Sequence, residues 1–402
     1  MKPLILLCLS LGTASSQALS LSLTDISTQV RARHPALQAA RLVVAEARGR
    51  QLGAGRLSNP TLGFDWRSES RLSPVTGEFS FEQSFPLTRR LRLEKQLTAQ
   101  GVTAAELEVL DVERRLIREA QGLAVELLAL DQQRSLRDQQ GALAKKLADF
   151  AQGRAEQGEF SPLDAAQAQL DAQRLVLEGK KLDSQRASLI GQLKPMLGLP
   201  PEEPLLLKGT LPQPTLPGTR DWQQRADYRL SQTQAQAAQT ESELAKARRL
   251  QDISAGIVGG PEQQYVPGAG GQNTGYIGFR LSIPLPFWNR NQGEIVEKNA
   301  AAERARLESD ALGRHIAGEA DTARSEMLAQ TDLARETRDR LLPLVIAQTE
   351  KLEKAYESGQ ADLLTVLRAR DQRLQLEAAA LDAVRDFHLA RIRYEAATGA
   401  SD

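Results

Sequence analysis

The side chains able to do covalent or metal chemistry are few in this 402-residue chain, and they do not converge. Its three histidines, His34, His315 and His388, stand far apart, and none has a His or Cys at the i+3 or i+4 spacing. Zinc sites need ligands at such spacings, so all three histidines are expected in structural or surface roles. The single cysteine, Cys8, excludes a disulfide framework and a cysteine metal cluster. Three methionines are too few for a copper relay. No phosphate-binding glycine loop, no Gly-x-Ser-x-Gly and no Cys/His pair is present. No cofactor, no metal and no enzymatic activity are expected. Lys+Arg and Asp+Glu both number 51, so the net charge is zero and the electrostatic basis for nucleic-acid binding is missing. The many carboxylates read as solvated faces or the lining of a lumen.

The elements that carry these residues are helices first. Aromatics are only 4%, and Ala, Gln, Leu, Glu and Arg dominate long stretches, a composition of long helices and coiled coils. Residues 1–18 read as a secretory signal: one lysine, a short apolar run, then Ser16-Gln17-Ala18. Leu7 precedes Cys8 where a lipoprotein signal wants a small residue, so no lipid anchor is expected. The mature chain is expected to begin near Leu19. No later apolar run reaches about 18 residues, so no transmembrane helix is expected.

The chain repeats itself. Phe79-Ser80-Phe81-Glu82-Gln83-Ser84-Phe85-Pro86-Leu87 matches Ile277-Gly278-Phe279-Arg280-Leu281-Ser282-Ile283-Pro284-Leu285. Gln157-Gly158-Glu159-Phe160-Ser161-Pro162-Leu163 matches Ser358-Gly359-Gln360-Ala361-Asp362-Leu363-Leu364. Both offsets are about 200 residues, the mark of a tandem duplication. The expected organisation is a first repeat over 19–198, a Pro-rich linker over 199–220, a second repeat over 221–398 and a short tail, 399–402. Each repeat opens with a helical segment, roughly 24–57 and 221–250. A β-hairpin follows, at about 60–86 and about 251–284. Then come two long helices joined by a turn at about 154–163 and about 355–364. The stretch from about 87 to 153 lacks proline and shows a seven-residue ladder, Val102, Val109, Leu116, Leu123 and Leu130, as in helices packed side by side. At 1.5 Å per residue such a helix is roughly 100 Å long. Its counterpart, about 289–357, is interrupted only by Pro343. Gly158 and Gly359 mark the turns; Ser161 before Pro162 is a strong helix start, and Asp362 can cap the second returning helix.

Four candidate strands are present, and apolar–polar alternation is clean in two of them. Phe79, Phe81 and Phe85 share one face, and Ser80, Glu82 and Ser84 the other. Ile277, Phe279, Leu281 and Ile283 oppose Gly278, Arg280 and Ser282. Leu62, Phe64 and Trp66 oppose Gly63, Asp65 and Arg67, and Ile253, Ala255 and Ile257 form a weaker partner. Apolar-out, polar-in alternation over about ten residues is the pattern of a transmembrane barrel, and aromatics at the strand ends suit its interfaces. Soluble hairpins can alternate too. The secretory signal and the absence of any other globular core favour the membrane. A bilayer tolerates no open sheet edge. Single-chain barrels begin at about eight strands, and one of that size is filled by side chains. Four strands must therefore be pooled, and three copies give twelve strands and room for a pore.

Together these features resemble the TolC family of outer-membrane efflux proteins over essentially the whole mature chain. Ser282-Ile283-Pro284-Leu285-Pro286-Phe287-Trp288-Asn289-Arg290-Asn291-Gln292-Gly293 is similar to the strand-to-helix junction of its CzcC-like heavy-metal branch, placing Pro86, Pro284, Pro286, Asn289, Arg290 and Gly293 at the junctions. Tyr356-Glu357-Ser358-Gly359 with Asp362-Leu363-Leu364 also matches. The resemblance implies a mainly α trimer with a 12-stranded β-barrel on a periplasmic α-helical barrel closed at its tip. It implies, as partners, a periplasmic adaptor (membrane fusion protein) and an inner-membrane RND pump. Gly158, Ser161, Gly359 and Asp362 would meet the adaptor. Carried over residue by residue, the gate tyrosine falls on Tyr356 and the tip aspartate on Asp164. The family's basic partner falls on Ala361, and its paired pore aspartates on Thr365 and Arg368. Closure is then expected to rest on other contacts, through Glu353, Glu357 or Arg368. The expected function is a passive exit duct, with heavy-metal cations as cargo; a multidrug or type I secretion duct and, in another class, a periplasmic coiled-coil adaptor are the alternatives. Adaptors carry soluble sandwich and barrel domains that this sequence lacks.

Overall fold

A computed structural model describes residues 19–67, 76–159, 161–218, 221–266, 270–358 and 360–399. The signal segment 1–18, most of the first hairpin loop, part of the second, Gly359 and all of the tail but Gly399 lie outside the described residues. The chain divides into two units. One comprises Met1–Gln38, Asp111–Arg225 and Ile316–Asp402; the other comprises Ala39–Leu110 and Ala226–His315. Each sequence repeat contributes to both.

In the first repeat and the linker the order is β1 (Leu19–Leu21), α1 (Asp25–Arg33), α2 (Pro35–Gly53), β2 (Thr61–Arg67), β3 (Thr76–Phe85), α3 (Arg90–Glu156), α4 (Pro162–Met196) and, in the linker, β4 (Leu205–Leu207). The second repeat gives α5 (Ala226–Ala247), β5 (Ile253–Val266), β6 (Gly270–Ser282), α6 (Gln292–Arg335), α7 (Leu342–Glu357) and α8 (Leu363–Ala397). The opening helical segment read as one piece over roughly 24–57 is two helices. The break falls on His34, which is extended (ψ 121°) because a residue before proline is sterically kept out of the helical region.

The 67 residues of α3 form one unbroken helix. Its counterpart is interrupted, as Pro343 implies. A π-helical stretch, Glu336–Leu341, joins α6 to α7, with Pro343 in the first turn of α7. Proline donates no backbone hydrogen bond and its ring crowds the preceding turn, so the helix widens just before it. Of the predicted ladder only Leu130 is buried; Val102, Val109, Leu116 and Leu123 are half-buried. The deeper seam of α3 is Ile117, Ala120, Ala124 and Leu127, which also follows a three-four-three spacing.

In the first unit, β1 pairs with β4 in parallel, Leu19 opposite Leu205 and Leu21 opposite Leu207. This pairing makes the Pro-rich linker a built part of the unit. Leu205, Leu207 and Leu211 join Ile26, Val30, Val125, Leu127 and Leu193 in one core. Two buried arginines finish the end of α8. Arg114 donates to the carbonyl of Ala396 (3.0 Å) and to Asp111 (2.7 Å). Arg225 donates to the carbonyl of Ala397 (3.2 Å) and to Glu319 (2.7 Å). The last carbonyls of a helix lack intrahelical partners and carry partial negative charge, so a guanidinium suits them doubly. His388 is buried and its Nε2 bonds the carbonyl of Pro212 at 2.8 Å, fastening the linker to α8.

In the second unit, β2, β3, β5 and β6 form one antiparallel sheet in that order. The two hairpins are joined through β3 and β5, with Phe81 opposite Ile257. The sheet ends on β2 at one side and β6 at the other, so both edges are open among the described residues.

Candidate functional site

The register sorts the sheet into two faces. Cross-strand partners share a face, and Leu62 pairs with Phe81, Phe64 with Phe79, Ile257 with Phe279 and Gly259 with Ile277. The predicted outward residues Phe64, Trp66, Phe79, Phe81, Phe85, Ile277, Phe279 and Leu281 are all exposed, Phe279 at 89% and Ile277 at 82%. Ile283, just past β6, is exposed as well. Phe64 and Phe79 meet edge to face at 5.1 Å. Gln83 falls on this face, opposite Ala255. Its amide donates to the carbonyls of Ser58 (2.8 Å) and Ser84 (2.9 Å), which meets its polar demand locally.

The other face holds Asp65, Arg67, Glu78, Ser80, Glu82, Ser254, Gly256, Tyr276, Gly278 and Arg280. Glu78 accepts hydrogen bonds from Tyr276 Oη (2.9 Å) and Arg280 (2.6 Å).

At the strand-to-helix junctions Pro86 directly follows β3, and Pro284 and Pro286 follow β6. Asn289 accepts from the backbone N–H of Asn291 (2.9 Å), and Arg290 Nε donates to the carbonyl of Pro286 (3.3 Å). Asn291 does the most here and was not singled out in the sequence. It is the one described non-glycine residue in the left-handed region (φ 60°). Its side chain donates to the Ala245 carbonyl (3.1 Å) and to Glu294 (2.6 Å), tying the end of α5 to the start of α6. Asparagine tolerates that backbone shape, and an Asn just ahead of a helix was the available signal. Gly293 stands in open space, so nothing close by requires a glycine there. Phe287 and Trp288 are exposed and contact each other edge to face at 6.0 Å.

At the tip of the first helical hairpin Gly158 has φ +77°. Ser161 caps α4, its hydroxyl accepting from the Leu163 N–H at 3.2 Å. The second tip differs from expectation. Asp362 holds the cap position with extended backbone, but its exposed carboxylate accepts no capping hydrogen bond. Gly359 and the side chain of Glu357 lie outside the described residues. Tyr356 is buried among Ala144, Ala148, Ala168 and Val366, with the Phe150 ring edge-on at 6.3 Å. Burial pushes the Tyr356 hydroxyl above its usual range, and the nearby Asp164 carboxylate adds to the rise. Tyr356 and Asp164 are thus brought together. Glu353 pairs with Arg370 at 2.6 Å, and Arg368 is exposed. Positions 368 and 370 differ by roughly 200° around a helix, so only one of them can face α7. Ala361 packs against the Tyr356 cluster, apolar contact standing where the family's basic group would be.

Among the described residues no group of three or more His, Cys, Asp and Glu side chains could hold a metal ion. No described helix is long and apolar enough to cross a membrane.

No family model matches the chain, and no curated protein does. Solved structures do. CusC, described for its transmembrane channel formation, aligns with TM-score 0.77 and 17% identity over 95% of this chain and 93% of that one. The outer-membrane channel OprN aligns with TM-score 0.76 and 15% identity over 94% and 89%. The outer membrane protein VceC of Vibrio cholerae aligns with TM-score 0.73 and 19% identity over 94% and 96%. The chain therefore has the mostly helical fold of these outer-membrane channels, the fold that the TolC-family resemblance implied.

Proposed function

We propose that this chain is one subunit of a trimeric outer-membrane exit duct. The observation that carries the reading is the sheet: one continuous exposed apolar face, one polar face and two open edges. In water such a face is a large liability, and in lipid it is matched. In lipid the edges cannot stay open, because unpaired backbone groups have no water there. Closure through copies of the same sheet satisfies both demands, and three copies make a twelve-stranded barrel wider than the side-chain-filled eight-stranded kind. Detergent-extracted protein is expected to run as a trimer and to form pores in planar bilayers. A monomer soluble without detergent would overturn the proposal.

The duct is passive in this reading. It receives cargo through a periplasmic adaptor from an inner-membrane RND pump, with the turns at Gly158, Ser161, Gly359 and Asp362 facing the adaptor and Tyr356, Asp164 and Glu353 holding the closed tip. The proposed cargo is heavy-metal cations, supported by the Pro284-to-Gly293 junction. Deleting the gene should sensitise cells to zinc, cobalt, cadmium or copper more than to a drug panel; unchanged tolerance of all four metals would remove this cargo.

A further inference from the structure

On the polar face of the sheet, charge and space are arranged together. Gly260 pairs with Tyr276, and a Cβ built there would run into the carbonyl of Gly77 and crowd Glu78. Gly256 pairs with both Glu82 and Arg280, and a Cβ there would lie 2.6 Å from the Phe81 carbonyl. On this face β5 thus presents glycine at 256 and 260 with only Val258 between them, and no polar side chain, between β3 and β6. Across that seam Tyr276 and Arg280 reach Glu78 directly, Arg280 from two rows further along β6. Glu78 also stands opposite Asp65 on β2. Like charges placed directly opposite on a sheet repel, and Arg280 offsets that repulsion. The pair remains wet, with the Arg280 side chain 48% exposed and that of Glu78 27%. Counting positions of this face by register, four carboxylates (Asp65, Glu78, Glu82, Glu262) meet two guanidiniums (Arg67, Arg280).

We infer that the Glu78–Arg280 pair, held across the glycine seam of β5, sets the ion selectivity of the pore by cancelling one carboxylate per subunit on an otherwise acidic wall. The inference rests on the trimeric-duct reading, since only there does this face line a lumen. A fixed charge within a Debye length, about 10 Å at 0.1 M salt, changes the local concentration of mobile ions. Losing Arg280 bares Glu78 and Asp65 together; losing Glu78 leaves Arg280 unopposed.

The test is the cation-to-anion permeability ratio, read from the reversal potential of single channels in a planar bilayer under a KCl gradient. R280Q should raise the ratio about twofold or more at 0.1 M salt, and E78Q should lower it to a similar degree. Raising salt to about 1 M should shrink both shifts, because screening shortens to about 3 Å. The double variant E78Q/R280Q should fall between the two. A purely structural staple would give less stable trimers in both single variants with ratios unmoved, and that result overturns the inference while leaving the duct standing. If R280Q does not assemble, E78Q alone decides by the same criterion. Absence of any channel from the unaltered protein would instead remove the duct reading itself.

Discussion

The sheet and the helical unit place their largest apolar side chains in opposite ways. In the unit of α1, α4 and α8, Ile26, Val30, Leu193 and Phe387 are all 0% exposed. In the sheet, Phe279 is 89% exposed and Trp66 75%. The polar groups invert as well: Arg114 and Arg225 are buried with partners, whereas the sheet gathers Arg67, Glu82 and Arg280 on its polar face. The helical unit is folded for water and satisfies itself. In the proposed duct the sheet meets lipid and copies of itself. That contrast is why the strands, though few, decide the function.

The largest effects should fall on the buried side of the contrast. Phe387→Ala should cost about 3–5 kcal/mol in denaturant unfolding of the detergent-solubilised protein, while Phe279→Ala should cost far less, since Phe279 is exposed rather than part of a core. Arg114→Ala should cost about 3 kcal/mol, because the Ala396 carbonyl loses its donor and Asp111 keeps only Arg115, at 3.0 Å. Next is Phe279→Arg, expected to cost roughly 2–4 kcal/mol near the bilayer midplane and to lower the yield of membrane-inserted trimer. An equal tolerance of arginine and alanine at 279 would break the comparison. Smaller still, Ser161→Ala should cost about 1 kcal/mol through its lost cap, and Asp362→Ala close to nothing.

A pH effect sharpens the same point within the helical unit. Burial holds the His388 imidazole below its ordinary value near 6.5. A group whose folded pKa is depressed in this way binds its proton more readily when unfolded. Stability should therefore be whole above about pH 6.5 and decline as pH falls towards the folded pKa. His388→Gln should flatten that decline in unfolding curves taken between about pH 7 and 5.

Much of the sheet was legible because period two is a strong signal: the outward residues read on β2, β3 and β6 are exposed, while on the weaker β5 Ile257 is exposed and Ile253 and Ala255 are half-buried. The interruption at Pro343 was equally plain. Other features carried no readable signal. β1 and β4 are three residues each, too short to show a period, and they pair across nearly the whole first repeat. The joining of the hairpins through β3 and β5 depends on a contact between positions far apart in sequence. At the tip, Tyr356 and Asp164 were singled out through resemblance, not through any pattern in the residues themselves. Arg370, the partner of Glu353, was not singled out, because sequence alone does not say which side of α8 faces α7. Asn291 was hidden by its own neighbours, since Asn289 and Arg290 offered the same polar chemistry one and two positions earlier.

The central claim is that this sheet is completed only by other copies of itself within a membrane. It is tested most directly by the mass of the protein extracted from membranes in mild detergent, measured by native mass spectrometry or sedimentation. The expected result is three chains per particle, recovered only from the outer-membrane fraction. A single chain, stable in the periplasmic fraction without detergent, would contradict it.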